Sequence, residues 1–519
     1  MTAVTDNSYP AENLPHTGES YLESLRDGRS VWIYGEQVKD VTEHPAFRNN
    51  ARTIAGLYDS LWDPANRDVL TMPTDTGNGG FTHRFFRAPH DVTELKQSRD
   101  AIAAWQRQCY GWLGRSPDYK ASFMATLGAN PGFYDPFAHN AREWYRRAQE
   151  RVLHINHALV HPPVDRNLPP DQISDVYVHV DQETDAGLVI SGAKMVATGS
   201  ALTHYNFIAH HGVPIKDKKF GVVFMAPMDT PGVKLFCRAS YELAAAQVGS
   251  PFDYPLSSRM DENDAVIVFD KALIPWENVL VYGDIEKANT FFHKSGFLPR
   301  FTLHGVTRLA VKLDFICGLL VKAVEINGTD GFRGVQASVG EVMAYRHLMW
   351  ALSDAMIQAA VPWGSQFVQP SEEYALTYRV IAPKIYGKVK EIVQQTAGSG
   401  LIYLNSGAAD WRSDEIRPYL DQYLRGSNGH SAEHRVKVMK LLWDAIGTEF
   451  GGRHELYERS YAGNPEQNRI QVLAKGTDAG VTRGMLDLVD RCLSDYDLAG
   501  WTTPGLIAPN DMSVSGQHR

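Results

Sequence analysis

The chain has 519 residues, 44% of them hydrophobic and 21% charged, an ordinary balance for a soluble globular protein of two or three packed units. Its 51 basic and 60 acidic residues give a net charge of -9, which argues against nucleic acid or an anionic membrane as the main partner. Cys109, Cys237, Cys317 and Cys492 stand far apart without a CxxC pair, so neither a disulfide framework nor a cysteine zinc site is expected. No secretion signal opens the chain and no stretch nears the roughly 18 apolar residues of a membrane span, so a cytoplasmic protein is expected.

In chain order, the first stretch to about residue 18 and the tail beyond 504 are polar and dotted with Pro and Gly, and both are expected to be loosely held. Residues 21–153 read as mainly helical. One helix opens at Asp91, carries Leu95, Ile102 and Trp105 at near-helical spacing and closes at Gly114; a second is expected over 136–159. After Pro162-Pro163 come short Val, Ile, Phe and Tyr runs such as GLVISGAKMVATG and AVIVFDKALIPWENVLVY, which predict a small barrel or sandwich. From about residue 301 the helical period returns. Val306, Leu309, Leu313, Ile316 and Leu320 follow the i, i+3, i+4 rule, and similar stretches cover 335–361, 379–396, 433–450 and 479–496. The expected class is α+β, mostly α: an N-terminal helical domain over 1–153, a middle β-barrel domain over 154–282 and a C-terminal four-helix-bundle domain over 283–519.

No GxGxxG joins a strand to a helix and no Walker A sequence is present, so a built-in nicotinamide site is not expected. Arg115 and Tyr119, in GRSPDYKA, pair a permanent cation with a phenolic hydroxyl, as binding a phenolate requires; a capped surface turn is the competing reading. His154, His157 and His161 cluster in LHINHALVHPP. On a helix the first two would share a face, but without HExxH or cysteines a metal site is not expected, and one histidine acting as base or hydrogen-bond donor is preferred. Thr198, Gly199 and Ser200 offer hydroxyls and a close backbone for a ring system. Asp261, Glu262 and Asp264 read as a solvated turn, and Arg453 follows a Gly-Gly break where a helix N-terminus meets phosphate.

Together, GWLGRSPDYKASF, NHALVHPPVDRNLPPD, SGAKMVATGSALTHYNFIA, SPFDYPLSSRMDENDA, YLRGSNG and WDAIGTEFGGRHELYER resemble the oxygenase components of the 4-hydroxyphenylacetate 3-monooxygenase family, over nearly the whole chain. The resemblance implies an acyl-CoA-dehydrogenase-like subunit in a homotetramer. It also implies O2 and FAD, as diffusible FADH2 from a separate NAD(P)H:flavin reductase, and ortho-hydroxylation of a para-substituted phenol through a flavin C4a-hydroperoxide. By the same resemblance Arg115, Tyr119 and His157 match the phenol ligands. His157, Ala158, Leu159, the run Pro163, Val164, Asp165 and Arg166, then Thr198, and finally Asn464 and Pro465 match flavin-contact segments. His161 departs from the family's Asn. Two substrates stay open, a free phenol or a tyrosine-derived phenol tethered to a carrier protein, and the loop FIAHHGVPIKDKKFG is either a reader of the substrate's far end or a solvated hairpin. The rival readings are a flavin dehydrogenase with an acidic base on the same fold and, more remotely, a non-enzymatic helical scaffold.

Overall fold

Short β-branched strands punctuated by Gly and Pro build two sheets in the middle of the chain. The computed structural model describes residues 13–165, 167–168, 170–212 and 214–507. One sheet has six strands in the order Glu36–Val38, Ser30–Ile33, Val233–Cys237, Ala265–Pro275, Gly187–Met195 and His179–Thr184. The other has four, Val279–Tyr282, Val222–Pro227, Tyr205–Ile208 and Ile155–Ala158. The last pair is parallel, with His157 opposite Phe207.

Two departures from the sequence reading occur in the first third. Residues 30–38, expected to be part of a helical region, form a hairpin whose inner strand joins the six-stranded sheet in parallel, Ser30 opposite Lys234. Val31, Ile33 and Val38 are buried there, a two-residue alternation too brief to stand out against the surrounding helices. The helix expected over 136–159 is Ala138–Arg151. Val152, in the left-handed region at φ 49°, ends it, and the chain turns into the strand Ile155–Ala158. The start of the chain is also better anchored than expected: Thr17 caps the helix Gly18–Ser24, and Leu14 and His16 are buried. Residues 1–12 and 508–519 lie outside the described residues.

The C-terminal half packs around one helix, Phe297–Asn327. Every residue from 297 to 313 is buried, so this half of the helix is enclosed on all sides, unlike an amphipathic surface helix. Against it lie Arg333–Gln358, Glu372–Ala397 and Ala432–Ile446, in the helical regions expected. The stretch after 449 yields two further helices, Glu449–Tyr461 and Pro465–Asp478, the second not anticipated because its apolar positions are few. The whole, 53% helical, has the acyl-CoA-dehydrogenase-like α+β architecture.

An enclosed helical stretch must neutralise its own charges, and this one does so against the helix Glu449–Tyr461. Arg308 donates through both terminal nitrogens to Glu458 at 2.6 Å, and Lys312 Nζ reaches the same carboxylate at 2.9 Å. Burial pushes Glu458 upward, but Arg308 and Lys312 outweigh it and hold the pKa down to about 2. The folded value lies below the ordinary 4.5 of a free carboxylate, so the stability this group contributes is full above that pH and fades as pH falls toward about 2. Glu458→Gln strands two cations in the interior and is expected to destabilise the fold by about 3–5 kcal/mol. Equilibrium urea unfolding at pH 7 reads this as a lowered midpoint at unchanged slope.

Candidate active site

The site grows from the tight turn that follows Gly114. Tyr457 lies so close that a Cβ at residue 114 would sit 2.1 Å from its hydroxyl, so only glycine fits. Pro117 begins the 3-10 turn Pro117–Lys120, and inside it Asp118 is buried against His304 at 3.2 Å. The backbone of Arg115 is held from both sides. Its N–H donates to Glu262, and its carbonyl accepts from His154 Nε2 at 2.9 Å. With the main chain fixed, the guanidinium enters a cleft of about 550 Å³ between the sheets and the helical half. There Nη1 donates to the Tyr457 hydroxyl at 2.8 Å, and Cζ lies 4.2 Å from the centre of the Tyr119 ring. Nε is buried without a partner among the described residues. Burial opposes the charge, yet Tyr119, Tyr457, Tyr461 and Glu262 outweigh it and raise the Arg115 pKa.

Tyr119 and His157 face each other across the same space, ring centres 5.7 Å apart. Burial, reinforced by the neighbouring Lys120 and Arg115, drives the His157 imidazole well below its ordinary 6.5. Of the two roles the sequence left open, base or hydrogen-bonding group, the free protein therefore favours the neutral hydrogen-bonding one, and the His157 Nδ1 is buried without a partner among the described residues. His154, the other member of the expected helical pair, is buried elsewhere and serves the Arg115 backbone. His161 stacks on Tyr177 at 4.0 Å, with Nε2 3.1 Å from Lys194 Nζ.

The acidic run is not a solvated turn. Asp261 and Glu262 are buried, and Asp264 is chelated by Arg453, Nε at 3.0 Å and Nη2 at 2.7 Å, with Arg238 Nε at 2.9 Å. Thr198 donates its hydroxyl to the same carboxylate at 2.6 Å. Burial raises the Asp264 pKa, but Arg453 and Arg238 prevail and hold it far below the usual carboxylate range. Arg453 is thus engaged by acids, and the Gly-Gly pair before it lies within the first turns of a helix capped by Thr448, so the phosphate reading of that segment is not supported.

The cleft gathers Arg115, Tyr119, His157, Leu159 and Thr198. Ala158 is buried next to them. Pro163, Val164 and Asp165 run out into solvent, and Arg166 lies outside the described residues. Asn464 and Pro465 are exposed, starting the helix Pro465–Asp478, while the wall itself is made by Ser460, Tyr461, Ala462 and Gly463 just before them. Sequence reasoning missed Tyr457 and Tyr461, although with Arg453 they recur every four residues and so share one helix face. It also missed the aromatic wall of Phe292, Phe297 and Phe301, and Arg379 beyond it.

The family model for the 4-hydroxyphenylacetate 3-hydroxylase N terminal matches residues 17–281, and that for its C terminal matches 288–493. The chain belongs to the 4-hydroxyphenylacetate 3-hydroxylase family. It is 58% identical, over 97% of both chains, to the oxygenase component of 4-nitrophenol 2-monooxygenase from Rhodococcus sp. It is also 58% identical, over 95% of this chain and 93% of the other, to a Streptomyces globisporus monooxygenase named for (3S)-3-amino-3-(3-chloro-4-hydroxyphenyl)propanoyl-[peptidyl-carrier protein SgcC2]. The crystal structure of a 4-hydroxyphenylacetate 3-monooxygenase oxygenase component with FAD and 4-hydroxyphenylacetate superposes with a TM-score of 0.84 at 32% identity, covering 92% of this chain and 100% of that one. Like these relatives, the protein is a flavin-dependent aromatic monooxygenase.

The cleft suits a flavin of this family. Val160 and Val196 present 48% and 54% of their surface at its edge, apolar area a flat ring system would cover. Thr198 offers a hydroxyl nearby, and the unpartnered His157 Nδ1 and Arg115 Nε point to polar groups still to be received. Because the His157 pKa is depressed, its neutral form persists through the range where a free imidazole gains a proton. Its ring is expected to show no protonation between about pH 6 and pH 8, checked by nitrogen NMR with His157→Asn as the assignment control.

Proposed function

We propose that the protein is the oxygenase half of a two-component system that inserts one oxygen atom ortho to the hydroxyl of a para-substituted phenol of the 4-hydroxyphenylacetate type, giving a catechol. A separate flavin reductase supplies FADH2, in keeping with the names of its relatives as oxygenase components. The observation that carries the reading is Arg115, a half-buried cation whose Nε is buried and unpaired, boxed in by Tyr119, Tyr457 and Tyr461 and facing a neutral His157.

Reduced FAD, when bound together with O2, supplies the oxygen atom that is transferred; Leu159, Val160, Val196 and Thr198 would hold its ring. The chain's own task is to make the phenol ring electron-rich. A phenol ionises near pH ~10, and a fixed guanidinium in a water-poor cleft stabilises its oxyanion far more than water-exposed charge would. The substrate oxygen set between Arg115 and His157 adds negative charge beside the imidazole. That charge raises the imidazole pKa and lets His157 share the phenolic proton once substrate is present. Tyr119 fixes the direction of the oxygen, and the aromatic wall excludes water from the reacting face.

We further propose a homo-oligomer, a tetramer by analogy with the family, working in the cytoplasm. The helix Val481–Leu493 buries none of its residues in the single chain, and Leu486, Val489 and Leu493 are each more than half exposed. No helix among the described residues is long and apolar enough to cross a membrane.

With chemically reduced FAD, oxygen and 4-hydroxyphenylacetate, Arg115→Ala and His157→Ala are each expected to lower the rate of catechol formation by about 10²-fold or more. Hydrogen peroxide should replace catechol as the product while circular dichroism stays unchanged. Undiminished catechol yield in both variants would remove these residues from the reaction.

A further inference from the structure

Beyond the phenol-binding end, the cleft contains a second cation that the reaction as described does not use. Arg379, on the helix Glu372–Ala397, is 2% exposed and forms part of the cleft wall. Two of its nitrogens hold the protein together: Nε donates to the Ala462 carbonyl at 2.9 Å and Nη1 to Gln471 Oε1 at 2.7 Å. Among the described residues no acceptor stands against Nη2. Residue 463 is a glycine at φ 87°, and even the Cβ of an alanine there would come within 3.3 Å of that nitrogen. No carboxylate forms an ion pair with Arg379 among the described residues. Glu372, the acid that supports its charge, is paired instead with Lys475 at 3.2 Å. Natural interiors rarely keep a guanidinium without an anion, since burial costs far more than two neutral hydrogen bonds return.

The surroundings of Arg379 indicate what kind of anion would meet it. An aromatic wall leads away from the phenol end: His157 to Phe297 is 6.2 Å between ring centres, Phe297 to Phe292 is 5.6 Å, and Arg379 Cζ lies 5.5 Å from the Phe292 ring. His211 packs on the same Phe292 ring at 4.6 Å. Burial and the nearby Arg379 bring its pKa down to about 4, so at neutral pH it is an uncharged hydrogen-bonding partner. Further along the chain, Ile215 is held by Asn289, which accepts from Ile215 N at 2.9 Å and donates to its carbonyl at 3.0 Å.

We propose that Arg379, with His211 beside it, binds the carboxylate of a free phenolic acid whose hydroxyl lies at Arg115, so that the cleft reads its substrate by both ends. This rests on the reading of Arg115, Tyr119 and His157 as a phenol site. It makes a free acid the substrate in preference to a carrier-tethered thioester, which has no carboxylate at that position to offer. The loop singled out in the sequence for its two histidines then reads the far end of the substrate.

The test compares substrates of one shape and different charge on the intact protein with reduced FAD: 4-hydroxyphenylacetate, its neutral amide, 4-ethylphenol and the cationic 4-(2-aminoethyl)phenol. In the unaltered protein, KM is expected to rise about 10- to 100-fold from acid to amide and further for the amine. In Arg379→Met the ratio of KM for the amide to KM for the acid should fall to about 1, and Arg379→Lys should recover part of it. Calorimetric titration of the FAD-loaded protein with 4-hydroxyphenylacetate gives the same comparison without turnover. Equal KM for acid and amide in the unaltered protein overturns the proposal and leaves the phenol site standing. A weakened affinity for reduced FAD in Arg379→Met, with the acid-to-amide ratio unchanged, also overturns it by assigning the cation to a flavin phosphate. Failure of the unaltered protein to hydroxylate any of the four phenols overturns the phenol site and this proposal with it.

Discussion

The geometry of the cleft depends on two carboxylates, the buried Glu262 and Asp264 at the cleft wall. Glu262 accepts from the Arg115 backbone, and Asp264 accepts from Thr198 while chelating Arg453. Through these few bonds the turn that presents the cation, the strand end that presents a hydroxyl and the helix that presents the tyrosines are locked to one another. They come from three separate parts of the sequence, around residues 115, 198 and 453. A carboxylate withdrawn from water is costly to desolvate, and these persist because cations stand against them: Arg453 and Arg238 on Asp264, and Arg453 Nη1 at 3.6 Å from Glu262. The result is a site whose members are placed by the interior and do not rely on loops.

The same arrangement decides the sign of the cleft. The acids are consumed by Arg453 and Arg238, and what remains facing the cavity is cationic or neutral: Arg115, Arg379, a neutral His157 and a neutral His211. Such a cavity attracts an electron-rich ring and an anionic tail. The aromatic wall between the two arginines supplies apolar surface for whatever spans them.

Much of this was readable before any coordinates. The long helices follow from a sustained 3.6-residue period, and GRSPDY and NHALV name the residues that meet in the cleft. What escaped did so for physical reasons. The strand Ile155–Ala158 was hidden because the preceding helix carries the same residue types up to Val152, and only a left-handed backbone ends it. Asp261, Glu262 and Asp264 looked solvated because three acids in a row of polar residues ordinarily are; their arginine partners are distant in sequence, at 238 and 453. Arg379 gave no local signal at all, since its importance lies in the absence of a carboxylate near it in space.

These constraints also separate the monooxygenase from a dehydrogenase built on the same fold. Abstraction of a carbon-bound proton beside a flavin needs a carboxylate free to take it, with a pKa raised toward neutrality. Asp264 is the carboxylate that lines the cleft, and it is the reverse of such a base: its oxygens are committed to Arg453, Arg238 and Thr198, and those cations hold its pKa far below the ordinary range. Glu262 stands behind it on the Arg115 backbone. A cleft arranged in this way stabilises negative charge on a bound molecule and does not draw protons from its carbon atoms. That is the requirement of a ring that must donate electrons to oxygen.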